Sequence, residues 1–590
     1  MKKNKLITAM ALTMSLTLTS CSDDENKNAQ QVTTPNTNTS QVVQQVQGQS
    51  DIMSYIPAET PLLVLYAQDP NNPMPQKLVD NMGKVYSSVG DIIKMSISES
   101  MNKYSEDDPK HGEMSAFIDK WLSDEGIAKL GLSMEENEFA MYTIDLFPVA
   151  RLTLAKSHKM GEVLDELMAK SNEDKAGTAV KKDVNGTTVY QFGDKEVQVL
   201  ISLNGNSVAA SFSPTREVDN LMPKLLGFEK PSKNIAQSSQ YNDTISKYNY
   251  LGNSVYWLNL RQLADYFVNP SNHDTAMLDV MKIQDNMLSA DCKTEILGMI
   301  DKFPRLVGGT TVLNNDNMNS HMILELTDGI GSKMATMHGR IPKTNSADSV
   351  TYGFSFDIAA AKNVALEFAT NIETEPFKCE LMANMNAQAS QIKTQLSQPL
   401  PPFVGNFKGI NLVIDELDLD MSKSEPNEMI KSLKGKVLLA VDNPEALQGM
   451  AMMAMPDLQK LGLKVGGGAI NVSEMIPVKG TQIPINMDHV FVAMGTETIG
   501  VSLGEGTDPS LTQDVSSEAD SHLLSLKITA DLYKNIFASI GAVADNLPEE
   551  AKKQLQLQQT VMKDMLWWKN ESINIDFTDR GFEIGVDIEY

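Results

Sequence analysis

The chain runs to 590 residues, 42% hydrophobic and 21% charged, with a formal net charge of −26 and a calculated pI of 4.7. That length and apolar content suit roughly two to four domains with real cores. The acidic balance excludes strong nucleic-acid binding, which needs a basic stripe to displace phosphate counterions, and it excludes broad electrostatic adhesion to anionic lipid.

At the N-terminus, Lys2, Lys3 and Lys5 precede an apolar segment, Leu6 to Leu18, interrupted only by Thr and Ser. The segment is too short for a stable transmembrane helix and ends in small residues, as a cleavable signal does. Its close, Leu18-Thr19-Ser20-Cys21, resembles the lipobox of Gram-negative bacterial lipoproteins. The bland alternative is a plain secretory signal with an incidental cysteine. The resemblance covers residues 1 to about 25 and implies a signal peptide over 1–20. Cys21 would then receive a diacylglycerol on its thiol and become the acylated first residue of the mature chain. Stable anchoring needs more than one acyl chain, and lipoproteins of this type usually carry three. In that family Asp after the cysteine retains the protein at the inner membrane. Ser22 stands there, so the resemblance favours the outer membrane. Asp23-Asp24-Glu25 resembles the acidic tag of surface-exposed lipoproteins, which leaves both the periplasmic face and the cell surface open.

Residues 21–50 read as a lipidated N-terminus and a flexible tether. From 24 onward they are rich in Asn, Gln, Thr and Ser and lack aromatic residues, so they cannot bury enough apolar surface to offset their ordering entropy. A coil of this length spans roughly 30 Å root-mean-square.

The remainder divides into a first domain (51–330), a linker (331–348) and a second domain (349–590), and the two domains repeat one another. Each opens with a strand leading to a helix: Pro61 to Ala67 before Lys77–Met82, and Val350 to Ile358 before Val364–Phe368. A second strand–helix step follows: Val149 to Ala155 then Glu162–Met168, and Lys436 to Val441 then Glu445–Met455. The hairpins Val199 to Phe212 and Val490 to Leu503 align without a gap. Another strand–helix step comes next: Val255–Leu260 then Gln262–Phe267, and Leu523–Ile528 then Asp531–Phe537. Each half closes with a hairpin, Arg305–Leu313 with Ser320–Leu326, and Ser572–Phe577 with Phe582–Ile588. Five matched steps in one order point to an internal duplication. Asn185-Gly186 suits a two-residue type I′ turn between antiparallel strands. Alternation in Ile573-Asn-Ile-Asp-Phe577 and Ile584-Gly-Val-Asp-Ile588 predicts one buried and one wet sheet face. The predicted class is α+β: two related domains of mainly antiparallel sheet with packed helices. This layout resembles uncharacterised envelope lipoproteins of Gram-negative bacteria, a resemblance that brings no activity with it.

Beyond Cys21 the cysteines are Cys292 and Cys379. In an oxidising compartment an even pair invites a disulfide, with two separate buried thiols as the alternative. The histidines (His111, His158, His273, His321, His338, His489 and His522) show no i, i+4 zinc-protease spacing. There is no Gly-x-Ser-x-Gly elbow. Ser100-Met-Asn-Lys103 matches Ser-x-x-Lys without its partner motifs and reads as a solvated helix face. Gly466-Gly467-Gly468 lacks the downstream residues of a phosphate loop and reads as a helix break after Leu463. Asp415-Glu-Leu-Asp-Leu-Asp420 reads as a strand with a wet acidic edge, a surface calcium site being the minority reading. Methionines cluster at Met450, Met452, Met453 and Met455, and at Met281, Met287 and Met299; core filling is the plain reading and an adaptable apolar groove the sharper one. Trp567-Trp568 would cap the last sheet or sit at an interface.

No catalytic, cofactor or metal residue is assigned. The expectation is a membrane-anchored envelope lipoprotein that binds or scaffolds without catalysis. It would be held by its acyl chains and serve an envelope protein partner. The alternative is a carrier of lipid or another apolar ligand.

Overall fold

The structure is a computed structural model, and the residues described are 50–69, 73–85, 116–117, 119–133, 136–173, 178–273, 275–346, 349–419, 429–475, 488–534 and 549–590. It is α+β, with antiparallel sheet and packed helices. The described residues fall into two units. The first holds those up to 315 together with 560–565; the second holds those from 316 to 559 together with 566–590.

The first unit is built on β1 (Leu62–Tyr66), β2 (Phe139–Ile144), β3 (Phe147–Thr153), β4 (Thr178–Val184), β5 (Thr187–Gly193), β6 (Val197–Asn204), β7 (Ser207–Pro214), β8 (Ser254–Asn259) and β9 (Arg305–Leu313). Their order is β4-β5-β6-β7-β3-β2-β1-β8-β9, antiparallel at every step. The β4–β5 turn has the backbone its sequence predicts: Asn185 (φ 56°) and Gly186 (φ 82°) are both left-handed, as type I′ requires. The Asp183 carboxylate accepts the Gly186 N–H at 3.0 Å.

Both faces of this sheet carry packed residues. On one, Leu63, Tyr142, Val149 and Trp257 stand in register and are almost fully buried. The Trp257 indole donates to the Thr60 carbonyl at 3.0 Å, and its ring lies 6.4 Å from that of Tyr241. On the other, helix α1 (Met160–Glu173) lies over the β5–β7 end. Val163, Leu164, Leu167 and Met168 fall at helical spacing, and Leu164 packs with the buried Tyr190 and Ile201.

The second unit uses β10 (Asn317–Glu325), β12 (Val350–Ser355), β13 (Phe407–Leu419), β14 (Ile430–Val441), β15 (Ile470–Asn471), β16 (Val490–Met494), β17 (Thr498–Leu503), β19 (Leu524–Thr529), β20 (Asn570–Phe577) and β21 (Gly581–Glu589). A separate short pair joins β11 (Ile341–Pro342) to β18 (Ala519–Asp520). The main order is β15-β16-β17-β14-β13-β12-β19-β20-β21-β10, again antiparallel throughout. The strands β6-β7-β3-β2-β1-β8-β9 of the first unit and β16-β17-β14-β13-β12-β19-β20 of the second thus follow one order. The strands of the predicted segment pairs occupy matching places in it.

Ser320–Leu326 falls almost wholly in β10, which pairs with β21 from Asn317 to Glu325. Within the expected linker 331–348, the described residues 331–346 carry most of helix α2 (Ile330–Ala335) and all of β11.

Candidate binding face of the second unit

The two faces of the second sheet invert the usual assignment of polar and apolar residues. One face is covered by β11 and by helix α3 (Asp508–Asp514). Here Val413, Leu438 and Ala493 pack with Leu511 and Val515. The fit is close: a Cβ on Gly353 would meet the Ile341 side chain at 2.5 Å, and one on Gly500 would meet Leu511 at 2.6 Å. The same covered face buries charge. Lys436 Nζ donates to Asp514 Oδ2 at 2.7 Å and to Ser346 Oγ at 2.9 Å, and both charged side chains are fully buried. Asp514 Oδ1 accepts the Asn345 N–H at 2.8 Å. A buried ion pair is tolerated only when the remaining donors and acceptors are satisfied. Here Thr344 to Ser346 supply that satisfaction, which also fixes this segment to the unit.

The opposite face is apolar. Pairing in register produces a continuous row across the sheet: Ile470, Val492, Val501, Val437, Leu412, Tyr352, Leu526, Ile573 and Val586. Two residues along, a second row runs Met494, Ile499, Leu439, Ile410, Phe354, Leu524, Ile575, Ile584 and Met322. No charged residue interrupts either row. At their middle the rows are open to solvent: Val501, Val437, Leu412, Tyr352 and Phe354 are 38–47% exposed. Contiguous apolar surface of this kind is a candidate binding surface.

One edge of the face carries titratable groups. His522 Nδ1 donates to Asp576 Oδ2 at 2.7 Å, while Asp576 Oδ1 accepts the Leu523 N–H at 3.2 Å. The Asp576 bond raises the His522 pKa above the usual imidazole value, against the opposing effect of burial. Nearby His338 is pushed the other way by burial. Its Nε2 accepts the Phe577 N–H at 3.0 Å.

The remaining sequence candidates scatter. Cys21, Ser100, Lys103 and His111 lie outside the described residues. Cys292 and Cys379 are both disulfide-bonded. His158 sits at a strand-to-helix turn, its Nε2 2.8 Å from the Gly205 carbonyl. His321 lies in β10, and His489 immediately precedes β16. His273 bonds Asp265 at 2.9 Å and stacks on Tyr266 at 4.0 Å, centroid to centroid. No hydroxyl or thiol partners the His273 or His522 imidazole among the described residues. Nor do three His, Cys, Asp or Glu side chains there come together as metal ligands.

Asp415 to Leu419 form the end of β13, with Glu416 paired to Lys434 at 2.8 Å. The helix break falls earlier than expected: the 3-10 turn Pro456–Leu461 ends at Gly462, which is left-handed at φ 63°. Trp567 packs edge-on against Tyr590 at 5.3 Å, and Trp568 is buried. Two surface pockets in the first unit are polar. One of about 520 Å³ is lined by Glu59, Arg261 and Gln262 among others; one of about 480 Å³ includes His273, Asp279 and Asp285.

Comparison with known protein families, with curated proteins and with solved structures finds no match for this chain. The functional argument therefore rests on the geometry of the open face. Sequence reasoning found most of the strands that build it, but not the part of β13 that carries Ile410 and Leu412, and it missed the face itself. The available signal was apolar residues at every second position in neighbouring strands, as in Val350-x-Tyr352-x-Phe354 and Ile410-x-Leu412-x-Ile414.

Proposed function

We propose that this protein is an envelope lipoprotein, acylated at Cys21 and held at the outer membrane, that works by binding rather than by catalysis. Its two units derive from one duplicated α+β domain, and the second unit takes an apolar partner on its open sheet face. The single observation that carries the binding role is the exposed middle of the two rows, Val501, Val437, Leu412, Tyr352 and Phe354. An unoccupied apolar face is costly in water, at about 25 cal/mol per Å², and covering it releases that cost to a partner. The anchor is supported by the Leu18-Thr19-Ser20-Cys21 motif, and the common strand order of the two units supports the duplication.

Photo-crosslinking in intact cells, with a photoreactive residue at Leu412 or Val437, tests the binding role. A discrete adduct at these positions, absent from an exposed first-unit position such as Val180, is expected. Recovery of only unmodified protein from both would overturn the reading. Palmitate labelling lost on Cys21→Ala tests the anchor separately.

A further inference from the structure

We infer that the occupant of the open face is an acyl chain of a membrane phospholipid, laid across the strands along the two apolar rows; this rests on the binding role proposed above. Shape is the first argument. Strands stand about 4.8 Å apart and alternate residues about 6.6 Å apart. Two rows therefore make a strip two side chains wide that runs perpendicular to the strands. Its most open part spans β17, β14, β13 and β12, which is three strand spacings or about 14 Å. One leaflet of bilayer hydrocarbon is about 15 Å thick. The exposed strip thus has the length of a lipid chain.

Area is the second argument. A strip about 20 Å by 12 Å, side chains included, covers a few hundred Å², whereas a stable protein interface takes about 800 Å² from each partner. A second copy of this chain or a folded protein would find too little surface.

Chemistry is the third. Protein interfaces carry about one hydrogen bond per 100–200 Å². Along the open strip, Val501, Val437, Leu412 and Phe354 offer none, and the backbone groups of these strands are committed to the sheet ladders. An occupant that asks for no hydrogen bonds is hydrocarbon. Tyr352 is the exception in the strip. Half-exposed, it joins an apolar ring to a hydroxyl, the combination found where an apolar region meets water, and its hydroxyl suits the polar end of the lipid.

The test uses the full chain with Cys21→Ser, so that no acyl group of its own competes. The probe is a phosphatidylglycerol with a diazirine in its palmitoyl chain, delivered from phosphatidylethanolamine–phosphatidylglycerol vesicles and photolysed after vesicle removal. Label mapping to the segments around Tyr352, Leu412, Val437 and Val501 is expected. Leu412→Glu and Val437→Glu should each cut it at least tenfold, while Phe212→Glu in the first unit leaves it unchanged. Matching melting temperatures, and intermediate labelling by Val437→Thr, separate lost binding from lost folding.

Label spread evenly over the molecule, or insensitive to Leu412→Glu, overturns the acyl-chain assignment. Absence of label while cell crosslinks at Val437 yield a protein adduct overturns it too, and leaves the binding role standing. Absence of both overturns the binding role as well.

Discussion

The two units present the same row of the same strand order and treat it differently. In the first, the row runs Ile201, Ala210, Ala150, Met141, Val64, Tyr256 and Gly308. Its counterpart in the second is Val492, Val501, Val437, Leu412, Tyr352, Leu526 and Ile573. The helix after β3, α1, lies on the first row and buries Ile201 beneath Leu164. The helix after β14, Pro444–Ala454, occupies the same place in the chain but buries only Pro444, and the segment leaves Met453 and Met455 exposed. Their sequences explain the contrast. Val163, Leu164, Leu167 and Met168 form one stripe, whereas Met450, Met452 and Met453 point around the helix and form none. The first unit packs a helix on one end of its row, and the second leaves the middle of the equivalent row exposed.

That comparison can be broken by placing a charge in each row. Ile201→Asp buries an unpaired carboxylate under α1 and should cost about 4 kcal/mol or more. Val501→Asp, at an open position, should stay within about 1 kcal/mol. Urea titrations followed by unit-specific hydrogen exchange read both, and equal losses would show that the second row is covered after all. The covered face of the second sheet gives the next largest effect. Lys436→Met strands the Asp514 carboxylate and should cost about 3–5 kcal/mol, while replacing both partners with apolar residues should recover most of it. If Lys436→Met proves neutral by the same titration, the Asp514 network is not the anchor of the Thr344–Ser346 segment. A bridge between Cys292 and Cys379 would close a loop with 86 intervening residues and stabilise by at most about 4–5 kcal/mol in the chain-entropy treatment, and measured values often fall below that. Non-reducing mass mapping should recover the linked peptides, and the reduced protein should melt at a lower temperature.

Much of the fold was legible because strand order follows from local signals. Asn185-Gly186 announced its turn, and the matched hairpins Val199 to Phe212 and Val490 to Leu503 announced the common order. What alternation could not say is which face gets covered. Ile573, Ile575, Ile584 and Val586 read as the buried side. The structure leaves them only partly covered and instead buries their neighbours Ser572 and Glu583. Over β12, β13, β14, β16 and β17 cover comes from β11 and α3, elements distant in sequence, and the Lys436–Asp514 pair is invisible as a pattern. The β10–β21 pairing was equally hidden, since the two strands lie more than 250 residues apart in the chain. The candidate site was thus half legible: Tyr352, Phe354, Val437 and Val501 were assigned to strands, Ile410 and Leu412 of β13 were not, and the exposure of the face left no local pattern.

The smallest predicted effect lies at the rim. The Asp576 bond holds the folded-state pKa of His522 above its ordinary value of about 6.5. A histidine raised in this way stabilises the fold fully below its unfolded pKa, and the contribution fades as pH climbs through the raised value. His338, facing the same carboxylate and depressed by burial, acts with the opposite sign and disfavours the fold as pH falls below about 6.5. Asp520 and Lys343 also face His522, one raising and one lowering its pKa. Comparing the wild type with Asp576→Asn isolates the bond from these neighbours, because the amide still accepts the Leu523 N–H but no longer pairs with an imidazolium. The substitution should lower the melting temperature more at pH 5.5 than at pH 8.5. A loss that is the same at both values would mean that His522 is neutral throughout and that the β19–β20 rim owes nothing to charge. A larger loss in acid would mean that this edge of the candidate binding face tightens as pH falls.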